Sequence, residues 1–245
     1  MAKQASRKTE PQVTRGGARR RVRPVRFVLR WSLRGLLALV VLALLAIGGY
    51  AVFNPPTTPY MMQEARRLGG ITQDWTPMEE IAPVMARSVV AAEDANFCNH
   101  WGFDMEAIRK ALASGGRRGA STISQQVVKN VYLWQDRSWL RKALEAVLTP
   151  GVEAIWSKRR ILEVYLNVAE FDEGVFGVDA AARHYFGVSP ADLSGTQAAR
   201  LAAILPDPKD RSAADPSGFV QRRAASIRDG AATIRADGRA ACFED

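Results

Sequence analysis

Glu93 and Asp94 stand side by side at the end of an apolar helical run marked by Met85, Val89, Val90 and Ala92, and Phe97, His100 and the turn residue Gly102 follow closely. A carboxylate at a helix C-terminus faces the negative end of the macrodipole, and Asp94 adds a like charge. Both effects predict a raised pKa at Glu93. A carboxyl tuned in that way suits general acid or base work near neutral pH. A solvated helix end carries the same pair, so these residues alone leave both readings open.

A second group lies in Gly119-Ala-Ser-Thr-Ile-Ser-Gln-Gln-Val-Val-Lys-Asn-Val-Tyr-Leu133. Ser121 is the expected N-cap of a helix whose apolar face repeats at Ile123, Val127 and Val131. Thr122, Gln126, Lys129 and Asn130 share another face. Hydroxyl, amide and ammonium together can hold a sugar and a phosphate, because they offer neutral hydrogen-bonding groups and a point cation. The third group is Arg141 and Glu145, one helical turn apart, which is also the spacing of an ordinary helix ion pair.

These groups need helices to hold them. Pro83 is the expected start of the helix leading to Glu93, and Thr76-Pro77-Met78-Glu79 has the form of a capping box. Pro150-Gly151 is expected to break or kink the helix after Glu145, and Ser157 to cap the next one through Ile161, Leu162, Tyr165 and Leu166. Asn167 is expected to open a glycine-punctuated loop, followed by a helix through Ala180–Phe186 in which His184 is structural. Beyond Asp210, spacing at Phe219, Ala224, Ile227 and Ala231 predicts a closing helix.

At the other end, Gly35–Phe53 carries no charge and would make a helix of about 28 Å, close to one hydrocarbon thickness. That run exceeds the usual apolar core of a signal peptide, so it reads as an uncleaved anchor. Residues 1–34 contain eleven basic side chains and one acid, Glu10, giving +10; the rest of the chain is −1, so the net +9 is a property of the tail. Basic residues beside a first span are retained on the cytoplasmic side, which places the body outside. Nucleic-acid binding has only tail charge in its favour. Asn54-Pro-Pro-Thr-Thr-Pro59 reads as an extended stalk. Two cysteines, Cys98 and Cys242, are too few for a disulfide scaffold, and whether they pair is open at this level. Two histidines far apart make no zinc-type cluster.

In this order and at these spacings, the segments closely resemble the peptidoglycan glycosyltransferases of glycosyltransferase family 51. The resemblance runs from about Pro83 to Pro208. It rests on Glu93-Asp94-x-x-Phe97-x-x-His100-x-Gly102-x-Asp104, Gly119-x-Ser121-Thr122-Ile123-x-Gln125-Gln126-x-x-Lys129-Asn130, and Arg141-Lys142-x-x-Glu145. Ile161-Leu162-Glu163-x-Tyr165-Leu166-Asn167 and Gly174-x-x-Gly177 also fit. No serine has a lysine three residues on, so the resemblance is to the monofunctional, membrane-anchored form of Gram-negative bacteria, without transpeptidase activity. Cys98 stands where Tyr or Arg is frequent, Ser124 where Thr is, and Asp172 where Gly is; the last puts the local loop shape in question.

The resemblance implies a mostly α, lysozyme-like head with a small jaw subdomain between His100 and Ser121, dipping into the bilayer. The implied organisation is a basic cytoplasmic tail (1–34), a transmembrane helix (35–53), a stalk (54–75) and the glycosyltransferase domain (76–245). It implies polymerisation of lipid II into β-1,4 strands, with inversion at MurNAc C1 and release of undecaprenyl pyrophosphate. Glu93 would be the base, and Glu145 would stabilise the developing oxocarbenium or the pyrophosphate side, oriented by Arg141. Lys129 would counter the pyrophosphate charge. Asp94, Phe97, His100, Arg118, Ser121, Thr122, Gln126 and Asn130 would complete the substrate site, with room for a divalent cation, Mg²⁺ or Mn²⁺, at the pyrophosphate. Expected partners are lipid II, the lipid-linked strand, membrane lipids and other wall-synthesis or division proteins. The expected location is the inner membrane, with the catalytic domain in the periplasm. A glycan-cleaving lysozyme-like enzyme has no use for the Lys129 stripe, and a non-catalytic scaffold has no use for the two glutamates.

Overall fold

The computed structural model describes residues 24–115, 119–136 and 138–244. The chain divides at residues 43 and 44 into two units. The first contains the N-terminal part of helix α1 (Pro24–Val52), which begins well before the expected Gly35. From Arg26 to Val52 this helix is long and apolar enough to cross a membrane.

The second unit starts within α1 and is mostly helical. The segment expected to be a stalk is folded: Thr58 caps α2 (Pro59–Leu68), accepting from the Met61 amide at 3.1 Å, and Met61 and Glu64 are buried. Pro59 is therefore a helix N1 residue, where its fixed φ and missing N–H cost nothing. Strand β1 (Thr72–Gln73) follows. The expected capping box at Thr76 is absent. Met78–Glu80 forms a 3₁₀ turn with no side-chain cap, and Thr76 is instead held by Asn167, whose amide accepts from the Thr76 N–H (2.7 Å) and donates to its carbonyl (2.9 Å).

Pro83 does open α3 (Pro83–Glu93). Helix α4 (Met105–Ala113) follows, capped by Asp104 and leaving Met105 and Leu112 exposed in the segment expected to form the jaw. Helices α5 (Ile123–Tyr132), α6 (Trp139–Ile155) and α7 (Lys158–Val168) come next. Helix α6 runs through Pro150 rather than stopping there, and α7 continues past Asn167. Ser157 caps α7 as expected, accepting from the Arg160 amide at 3.1 Å.

Strands β2 (Glu170–Asp172) and β3 (Val175–Phe176) complete a small sheet of order β1-β3-β2, parallel between β1 and β3 and antiparallel between β3 and β2. Asp172 has no positive φ and sits at a register irregularity of β2 against β3, accepting from the Tyr185 hydroxyl (2.9 Å) and pairing with His184 (3.0 Å), which explains a structural His184. Helices α8 (Gly177–Phe186), α9 (Gly195–Ile204), α10 (Gly218–Ala236) and α11 (Ala241–Glu244) finish the chain. Helix α10 is the expected closing helix. It packs on α3 and α9 through Val220, Ala224, Ile227, Ala231 and Ile234, while Phe219 points outward.

The end of α1 is built into this unit. Ile47 is buried, its carbonyl accepts from the Trp156 indole at 2.7 Å, and the Arg160 guanidinium donates to the carbonyls of Tyr50 and Phe53. An arginine on the last carbonyls of a helix satisfies acceptors that have no intrahelical donor.

Gly102 is the tightest turn near the site. Its φ is +82°, a Cβ there would fall 2.7 Å from Thr149 Cγ2, and its carbonyl accepts from the Thr122 hydroxyl at 2.7 Å. Gly102→Ala should destabilise the domain by about 1–3 kcal/mol, read as a lowered denaturation midpoint. An unchanged midpoint would mean the turn relaxes freely.

Candidate active site

Helix α3 ends at Glu93 because Asp94 leaves helical geometry, at φ −160°, while its N–H still bonds to Val90 O at 2.9 Å. The buried Asp94 carboxylate then spans two elements. One oxygen pairs with His100 Nε2 at 2.8 Å, and the other accepts from the Ile123 N–H at 3.1 Å, at the first turn of α5. A carboxylate there also meets the positive end of the helix dipole. The cap of α5 is Thr122 rather than Ser121, in a reciprocal capping box with Gln125.

With α5 fixed to the end of α3 in this way, Gln126 faces Glu93. Gln126 Nε2 donates to Glu93 Oε2 at 3.0 Å, and Gln126 Oε1 accepts from the Tyr165 hydroxyl at 3.3 Å. Glu93 Oε1 is buried and has no hydrogen-bond partner among the described residues; Arg223 Nη2, from α10, lies 3.7 Å away. The Glu93 pKa is raised, as expected, but chiefly by burial rather than by its neighbours. Asp94 adds to the rise, and Gln126, Arg223 and Lys129 oppose it.

One turn along α5, Lys129 takes part in no ion pair among the described residues. Burial first, then Arg141 and Lys142, push its pKa down, while Glu145 and Glu93 pull it up. Lys129 thus lies in the fields of both glutamates. Glu145 is set quite differently from Glu93: only 2% exposed, it has Arg141 Nη1 2.9 Å from one oxygen and Lys142 Nζ on the other. Lys142 also reaches the exposed Ser121 hydroxyl at 3.3 Å.

Gln126, Lys129 and Asn130 line an open cavity of about 450 Å³ together with Tyr60, Tyr165 and Lys209. Asn130 is buried and accepts from Gln135 at 3.1 Å. A roomier cleft of about 680 Å³ lies away from these groups, and two of its three arginines, Arg87 and Arg159, are already paired with Glu244 and Glu79.

Of the residues expected to meet substrate, the structure gathers Gln126, Lys129 and Asn130 at the cavity and Ser121 and Arg141 around Glu145. Asp94, His100 and Thr122 are engaged in holding the site together, and the Phe97 ring is completely buried. Arg118 lies outside the described residues. Sequence reasoning missed Arg223, which sits in the basic pair Arg222-Arg223 and resembles a solvated surface. It also missed Lys158. That ammonium donates to His100 O and to Glu153 Oε1, both at 2.8 Å, and lies 4.5 Å from the centre of the Phe97 ring. Glu153 in turn accepts from Ser124 at 2.5 Å.

Residues 62–231 match the family described as Transglycosylase. The biosynthetic peptidoglycan transglycosylase of Jannaschia sp. (strain CCS1) is 62% identical over 243 residues, covering 99% of this chain and 99% of its own length. The proteins of the same name from Salmonella arizonae (strain ATCC BAA-731 / CDC346-86 / RSK2980) and Salmonella enteritidis PT4 (strain P125109) are each 49% identical. They cover 84% and 86% of this chain and 90% and 92% of their own lengths.

Burial of Glu93 has a consequence for stability. A carboxyl with a raised folded-state pKa binds its proton more tightly folded than unfolded, so stability falls as pH rises from the ordinary carboxylate range through the raised value. Glu93→Gln removes that loss. The variant should unfold at a higher temperature than wild type near neutral pH, with the gap closing in acid. Parallel melting curves across pH would refute the burial argument.

Proposed function

Because the chain belongs to the transglycosylase family, we propose that it polymerises lipid II into β-1,4 glycan strands, with inversion at MurNAc C1, release of undecaprenyl pyrophosphate and no transpeptidase activity. The observation that carries this reading is the contrast between the two glutamates. Glu93 keeps one buried oxygen without a hydrogen-bond partner among the described residues, whereas both oxygens of Glu145 are held by cations. The lone pairs of Glu93 are less engaged than those of Glu145, with Arg223 standing 3.7 Å away.

Ionised Glu93 takes the proton of the GlcNAc 4-hydroxyl of lipid II. The hydroxyl oxygen bonds to C1 of the strand's terminal MurNAc as the C1–O bond to pyrophosphate breaks, and that electron pair leaves on the lipid pyrophosphate. Attack opposite the leaving group converts the α-linked donor to a β bond. Burial raises the affinity of Glu93 for the incoming proton, while Gln126, Arg223 and Lys129 favour its ionised form. Lys129, bound to no carboxylate, meets the charge on the departing pyrophosphate. Glu145 is a fixed anion placed to stabilise positive charge developing at the sugar, with Arg141 orienting it. Ser121, Asn130 and Gln126 supply neutral contacts to the sugars. Among the described residues no three His, Cys, Asp or Glu side chains gather as a metal site. A divalent cation at the pyrophosphate would supply neutralisation of the leaving group's charge.

The apolar stretch of α1 and the basic tail before it support an inner-membrane anchor with the catalytic body in the periplasm. The disulfide between Cys98 and Cys242 fits an oxidising compartment. Anchoring beside the bilayer confines enzyme and lipid-linked substrate to one surface, which raises their encounter rate. Exposed Met105 and Leu112 on α4 suit contact with the bilayer.

Incubating the detergent-solubilised protein with fluorescent lipid II should yield polymer that a muramidase digests. Glu93→Gln should lower the rate by about 10²–10⁴-fold while the variant stays folded; near-normal turnover would remove Glu93 as the base. In Lys129→Ala, engagement of the lipid-linked donor should weaken, seen as a raised KM. An unchanged donor affinity would deny Lys129 its pyrophosphate role.

A further inference from the structure

Helix α11 lies beyond residue 231, where the family match ends, yet it grips the turn that follows the acidic pair. Cys242 is disulfide-bonded to Cys98, with their Cα atoms 5.7 Å apart. Phe243 is fully buried against the equally buried Phe97, their ring centres 6.4 Å apart. Just before α11, Arg239 Nη1 donates to Ala95 O at 2.9 Å. The far side of α11 is tied as well: Glu244 pairs with Arg87 of α3 at 2.8 Å, and Phe243 O accepts from Arg159 of α7 at 3.0 Å.

Residues 95–98 are thus held from outside by a four-residue helix that could not persist alone. Here the tie closes a span of 144 residues and ends inside the turn between Asp94 and His100. Phe97 links the two: its amide donates to Asp94 O at 2.9 Å, and its ring meets the His100 imidazole edge-on at 6.4 Å.

We propose that α11 is a clasp on the active-site turn, with Phe243 as a positioning residue that acts through Phe97 on the His100–Asp94–Ile123 connection, and with the Cys98–Cys242 bond keeping it seated. The proposal rests on the reading of Glu93 as the base. Phe243 touches no substrate. If the clasp opens, the turn loosens, His100 leaves Asp94, and the Ile123 amide loses its acceptor. Gln126, three residues into α5, then holds Glu93 less constantly. Gln126 lies in the loosened first turn; Lys129 and Asn130, a turn further along α5, are held by its packing against α6 and α7, and Tyr165 and Lys209 stand elsewhere in the fold, so turnover should fall much further than substrate affinity.

The test compares the full-length, detergent-solubilised protein with Phe243→Ala, Phe243→Leu and the double variant Cys98→Ser/Cys242→Ser. Hydrogen–deuterium exchange should rise in Phe243→Ala and the double variant, both at residues 95–100 and, beyond the clasp's own contacts, at residues 123–126 of α5. With lipid II, kcat should fall about ten- to hundredfold and KM should hold within about twofold, with Phe243→Leu recovering most of the rate. Exchange confined to residues 239–244, with kcat unchanged, would overturn the clasp. Should Phe243→Ala fail to fold, the double variant retains Phe243 and carries the same comparison. Absence of polymer from the wild type would defeat the lipid II reading, and exchange at α5 would still decide whether the clasp positions the turn.

Discussion

Asp94 shares its carboxylate between a side chain and a backbone amide, and the position of the site follows from that division. The oxygen facing His100 fixes the turn after α3, and the oxygen facing the Ile123 N–H fixes where α5 begins. Once α5 begins there, helical periodicity places Gln126 against Glu93 and Lys129 one turn further along the cavity wall. Thr122 reinforces the same junction from its own side, bonding to Gly102 O while capping the helix. Lys158 closes the arrangement by gathering His100 O, Glu153 and the Phe97 ring around one ammonium. A half-buried ammonium is tolerated there because it is both paired and hydrogen-bonded.

The same junction separates the two acidic groups by environment. Glu93 is short of partners, so burial governs its proton affinity. Glu145 sits in a nest of cations. Chemically identical side chains therefore stand in different electrostatic surroundings, a contrast on which the proposed reaction draws. Lys129 lies in both fields and is held by neither, which leaves its charge available to a third anion.

Much of this was legible in local spacing. The start of α3 at Pro83, the cap at Ser157, and the shared face of Gln126 and Lys129 all depend on residues within one or two turns of each other. Errors arose where one local signal served two structures. Pro59 reads as stalk or as helix N1, and it proved to be the latter because Thr58 caps α2. Ser121 and Thr122 are both good caps, and the reciprocal bond with Gln125 selects the second. What no window could reveal is long-range. Arg223 reaches Glu93 from α10, Lys158 reaches His100 from α7, and the burial that tunes Glu93 depends on the packing of α3 against α9 and α10. In sequence, these two cations look like members of ordinary basic runs.

The last turns of α1 are part of the folded body rather than a leash to it. Ile47 belongs to the hydrophobic core, and its carbonyl is the acceptor for the Trp156 indole; Tyr50 and Phe53 supply the carbonyls that engage Arg160. The end of α1 is therefore not removable without cost to the folded body. A body severed at Asn54 would lose a core side chain and strand a buried indole donor, a defect costing about 1–3 kcal/mol, and its Arg160 would have to find water in place of a helix end. Solubility obtained in that way would come with a loosened floor beneath α6 and α7, so any soluble form of this enzyme must begin early enough to keep Ile47.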